Sequence, residues 1–179
     1  GLEGAVYIND EWKINNFFSL DMGLRLSGFT NFGPTDVFLY AENQPREVFT
    51  IIDTLSVGDF ESVQNFGGIE PRISIKANLN ELTSVKLGYN RIQQYSHLLI
   101  NSLATTPVDL WQLSNRYFPA QVANSVFAGI HRNFLNNIWQ VSIEGYYRQM
   151  KGLVVNRDFA KLFVNEHIET EVQDAEGIA

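Results

Sequence analysis

The sequence predicts an all-β chain, an antiparallel up-and-down β-meander forming a slice of a transmembrane β-barrel wall. Three observations predict it. Apolar and polar residues alternate with period two in six or seven separate segments, the pattern of strands with one apolar and one polar face. Short, Asn-rich connections join these segments in pairs, and far longer connections separate the pairs. Aromatic residues gather beside the short connections.

Strands are expected near residues 4–14, 18–29, 70–79, 84–94, 124–133, 138–149 and 167–173, within one segment covering 1–179. The clearest is the second. Phe18, Leu20, Met22, Leu24 and Leu26 share one face, and Ser19, Asp21, Gly23, Arg25 and Ser27 share the other. A helix would scatter both sets around its circumference, whereas a strand separates them. The others repeat the pattern, for example Ile73, Ile75, Ala77 and Leu79 against Arg72, Ser74, Lys76 and Asn78. In the first strand Asp10 breaks the apolar face.

Asn15-Asn16, Asn80-Glu81 and Asn136-Asn137 read as hairpin turns. Loops are expected over 30–69, 95–123 and 150–166. Compact domains rarely use several connections above about 15 residues. A membrane barrel does so regularly, with tight turns at one end and long loops at the other. In the first long loop, Val37 to Ala41 and Val48 to Asp53 flank Asn43-Gln44-Pro45-Arg46 and read as an extra hairpin. Trp12, Phe17, Phe18, Phe134 and Trp139 lie near short turns, where an interfacial aromatic girdle would fall. The competing reading is a soluble β-sandwich or small β-barrel, a ligand- or carbohydrate-binding module whose core end these aromatics plug.

Composition narrows the function. Apolar residues form 45% of the chain, too many for a disordered segment. The net charge of −7 argues against a nucleic-acid partner, which needs a basic face. Absence of cysteine removes disulfides, thiolate metal sites and cysteine nucleophiles. No run approaches the roughly 18 apolar residues of a membrane helix, and no basic-then-apolar secretion signal opens the chain.

Signs of catalysis are sparse, and no enzyme activity, metal or cofactor is expected. His97, His131 and His167 stand far apart without metal-ligand spacing. Glu11, Asp21 and Glu144 share polar faces with Arg25, Lys76, Lys86 and Arg148, so charge pairing within a wet lumen is the simpler expectation. Gly67-Gly68 reads as a turn. The most distinctive loop carries Asp109, Trp111, Tyr117 and Phe118. Such aromatics either grip a sugar ring or other ligand or pack the loop on itself and its neighbours.

Several stretches resemble the barrel of TonB-dependent outer-membrane receptors of the Bacteroidetes nutrient-uptake type. They are Gly4 to Lys13, Leu20 to Leu26, Glu70 to Ile75, Ser84 to Asn90, Gln94 to Leu99, Thr106 to Trp111 and Ser142 to Arg148, with Glu169 to Val172 resembling the next strand. The resemblance implies a receptor in the cell outer membrane that binds a scarce nutrient, such as a glycan or siderophore. It implies import through a 22-stranded barrel with energy from TonB. Its partners would be outer-membrane lipid, the nutrient, and a plug domain and TonB reached through other parts of a longer protein. The segment would then be an internal part of the wall. Taken out of that wall it is expected to curl on itself, pair with another copy or need detergent, because it exposes an apolar face and two unpaired edges.

Overall fold

The computed structural model describes residues 1–42, 44, 46, 48–99, 110–134, 138–156 and 170–178. The chain is all-β, with strands β1 (Leu2–Lys13), β2 (Phe18–Phe32), β3 (Thr35–Tyr40), β4 (Ile51–Val57), β5 (Ser62–Asn80), β6 (Thr83–Gln94), β7 (Ser96–Leu99), β8 (Leu110–Leu113), β9 (Gln121–Phe134), β10 (Trp139–Asn156) and β11 (Thr170–Ile178). Seven of them form one antiparallel meander in the order β1-β2-β5-β6-β9-β10-β11, which does not close on itself among the described residues. Two small hairpins, β3–β4 and β7–β8, stand apart from this wall.

Asparagine chemistry closes the tight turns. The Asn15 side-chain oxygen accepts the amides of Phe17 and Phe18 at 2.8 Å, and that of Asn80 accepts the Leu82 amide at 2.9 Å. Such Asx turns let the side chain replace a missing ladder bond. The expected turn at Asn136-Asn137 lies outside the described residues.

Strand ends and loops differ from the sequence expectation. The second strand continues to Phe32, and the strand expected from residue 70 begins at Ser62, so the loop expected over 30–69 consists largely of strand. Gly67-Gly68 is therefore not a turn. The pair lies inside β5, with Gly67 opposite Gly28 and Gly68 opposite Ser27, because antiparallel pairing with β2 supplies what local propensity lacks. The extra hairpin is present as β3–β4, entered through a 3₁₀ turn at Val48–Thr50. The loop expected over 95–123 holds the unanticipated hairpin β7–β8.

The register aligns the apolar positions into rows across the wall. One row runs Trp12, Leu20, Ile75, Leu87, Ala128, Gly145, and the next runs Phe18, Ala77, Val85, Ile130, Ile143. This face is open: Ile8 is 72% exposed, Ile143 69% and Trp139 63%. Of the buried wall positions, Ser27, Phe29, Glu70, Ser125 and Gly129 belong to the polar face, while Thr83 is in register with the apolar rows. The large apolar side chains of the wall are thus left open instead of being covered, as one face of a water-soluble sheet would be. The apolar run covers residues 18 to 26 on β2 and 69 to 79 on β5, close to the roughly 9–11 residues of a bilayer-crossing strand. Both strands continue past it towards the long connections.

The polar face is kept shallow by side chains laid over glycines. Gly88 sits directly opposite Phe127, whose ring occupies the space a Cβ on Gly88 would need. Asn9 covers Gly23 in the same way, its Oδ1 2.7 Å from where a Cβ would lie. A ring lying across a cross-strand glycine restores packing that the glycine gives up.

Candidate functional site

The end of the wall bearing the long connections has a small interior of its own. The β5–β6 ladder stops at Arg72 opposite Asn90, next to Pro71, which has no N–H to extend it. Beyond that point the less exposed positions are Arg91, Gln93, Tyr95 and His97. The chain thus carries Tyr95 onto the polar face, where it is 1% exposed. Its ring stacks on Phe29, centroids 5.7 Å apart, with Phe66 alongside at 6.5 Å. Its hydroxyl lies 2.8 Å from Ser27 Oγ and donates to Gln93 Oε1 at 3.1 Å. Ser27 in turn donates to the buried Glu70 carboxylate. Arg25 stands between Glu70 at 3.9 Å and Glu3 at 3.7 Å.

From Tyr95 the chain enters β7–β8. The Ser114 amide donates to the Tyr95 carbonyl at 2.8 Å, and Asn115 and Phe118 exchange backbone bonds. Asn115 Oδ1 also accepts the amides of Tyr117 and Phe118, which locks residues 114–118 into a compact turn. His97 is buried beside this turn, its Nε2 3.0 Å from Ser114 Oγ. Burial lowers the His97 pKa below the usual 6.5, opposed in part by the Pro119 carbonyl. Ser114 is fully buried, so the pair is a packed hydrogen bond without access for a substrate.

The turn faces the β3–β4 hairpin across a cavity of about 470 Å³, whose lining includes Asn31, Asp36, Phe38, Tyr40, Arg46, Gln112, Arg116, Tyr117 and Phe118. Tyr117 spans the two sides. Its hydroxyl donates to the Phe38 carbonyl at 2.9 Å, and its ring meets Tyr40 edge-on with centroids 5.6 Å apart. The Arg46 guanidinium lies 4.4 Å over the same ring, a cation–π contact. Asp36 accepts from Ser56 at 2.6 Å. Burial raises the Tyr40 pKa above 10.0, with Tyr117 adding to the shift and Arg46 opposing it.

Of the four residues singled out from the sequence, Tyr117 and Phe118 meet at this cavity, and Phe118 is largely buried as packing. Trp111 belongs to β8, opposite Leu98, and points into the open at 61% exposure. Asp109 lies outside the described residues. Sequence reasoning missed Asp36, Tyr40 and Arg46. The extra hairpin was the available signal, but nothing in its pattern indicated which loop it would face.

A second cavity of about 970 Å³ opens on the polar face at the short-turn end, lined in part by Lys76, Lys86, His131, Asn78 and Asn133. The expected charge pairing is not what the register builds. Lys76 stands opposite Lys86 and Glu11 opposite Asp21, so like faces like. Among the described residues, Arg25 alone of the four expected cations is ion-paired, while Arg148 bonds Ser125 and Lys86 lies over Phe127. His131 pairs with Glu144 at 3.4 Å. Among the described residues no group of three or more His, Asp or Glu could hold a metal.

No family model, curated protein or solved structure matches the chain.

Proposed function

We propose that this chain is part of the wall of an outer-membrane β-barrel, a TonB-dependent nutrient receptor of the type its motifs resemble. One observation carries the reading: large apolar side chains lie open in continuous rows on one face, while most of the wall's few buried positions lie on the other. In water such a face would be a standing association hazard, and each large side chain it exposes forgoes about 1.5–3 kcal/mol of burial. In lipid the same face is solvated. The exposed Trp12 and Trp139 beside the short turns fit an interfacial girdle, and their openness disfavours a role as plugs of a soluble core. The hairpins and their cavity, at the opposite end, supply the ligand-gathering side. The polar face would look onto the lumen, the plug domain and the ligand path. The role is binding and passage, with no chemical step, and energy is delivered by TonB through parts of the protein beyond this segment.

The test is depth-dependent quenching in liposomes containing lipids brominated along the acyl chain. Single-Trp variants of the full-length protein keep Trp12, Trp111 or Trp139. Strong quenching of Trp12 and Trp139 with little effect on Trp111 is expected. Equal, weak quenching of all three, with the protein monodisperse in detergent-free buffer, would support the soluble binding module instead.

A further inference from the structure

We infer that the cavity between β3 and the 114–118 turn takes an acidic saccharide, a hydroxyl-rich ring bearing a carboxylate. This rests on the ligand-binding reading above and names its ligand class. The chain as a whole carries −7, yet this cavity reverses the sign, with Arg46 and Arg116 against the single carboxylate of Asp36. Arg116 is exposed and, among the described residues, has no carboxylate partner. Arg46 lies over the Tyr117 ring at 4.4 Å from its centroid, which places a second cation at the edge of the cavity that it helps to line. Asp36 and the nearby carboxamide of Gln112 can exchange hydrogen bonds with ring hydroxyls, and Tyr40 offers an apolar ring face.

The site is largely assembled before any ligand arrives. Tyr117 ties the turn to Phe38 at 2.9 Å and Asn115 holds the turn's amides, which limits the ordering cost of binding. The volume of about 470 Å³ lies within the roughly 300–1,000 Å³ of small-ligand sites. A neutral sugar would fill the same space but leave Arg116 partly desolvated without an anion, which is unfavourable.

The test is calorimetric titration of the full-length protein in detergent with trigalacturonate and with its methyl ester, which keeps the shape and removes the charge. The acid is expected to bind about tenfold more tightly or better, as charge-assisted hydrogen bonds allow. Arg116→Gln should abolish most of that preference. Equal binding of acid and ester, or binding of neither, would overturn the inference. The lipid-quenching measurement does not depend on this cavity, so failure of the wall reading is recognised separately.

Discussion

The wall and the hairpin-bearing end of this molecule are held together by different means. The wall coheres through backbone ladders and cross-strand rows, and its apolar side chains face outward, with Ile75 45% and Leu87 52% exposed. At the other end Phe29, Tyr95 and Phe118 are buried, in company with Ser27, Glu70, His97 and Ser114. That end follows the rules of a water-soluble interior: aromatics stacked inside and polar groups paired. Along the rest of the wall the large apolar side chains of one face stay open instead. One chain therefore contains a region that leaves its large apolar side chains open and a region that buries them, and the boundary falls where the β5–β6 ladder ends at Arg72, next to Pro71.

Substitutions should expose this division. The largest effect is expected at Phe29, where Phe29→Ala removes a buried ring that stacks on Tyr95 and lies beside Phe66 and should cost about 3–5 kcal/mol, read as a lowered denaturation midpoint. Ile75→Arg should cost about 2–4 kcal/mol for the protein folded in a bilayer. The same change at an exposed site in water should stay within about 0.5 kcal/mol. Unfolding titrations in liposomes thus decide which solvent the face meets. The smallest effect concerns acidity. His97 has its pKa lowered in the folded state, so unfolding takes up a proton as pH falls. Stability should be complete above the ordinary value of 6.5 and decline as pH drops from there towards the lowered value. His97→Gln should flatten that slope in thermal melts recorded between pH 8 and 5, and an unchanged slope would show that another group is responsible.

The wall was legible because its signals are local. Alternation along Phe18 to Leu26 fixes which side chains share a face, and asparagine at residues 15 and 80 fixes where the chain reverses. Strand ends were not legible, since Ser62 to Gly68 has weak strand propensity and gains its form from β2. Charge pairing was misjudged for a related reason. Knowing that Lys76 and Lys86 share a face does not reveal that register sets them opposite each other. At the cavity, Tyr117 was visible as a distinctive aromatic, but Phe38, Tyr40 and Arg46 reach it from about 70 to 80 positions away along the chain. Only the tertiary arrangement of two hairpins joins them.

Tyr95 gives this arrangement a mechanical consequence. Its carbonyl holds Ser114, its ring rests on Phe29, and its hydroxyl reaches Ser27 and through it Glu70 and Arg25. A load applied at Ser114 therefore passes through Tyr95 to Ser27 on β2 and Glu70 on β5. Pulling on the 110–118 segment is thus expected to load the wall through Tyr95, so the two regions share one joint.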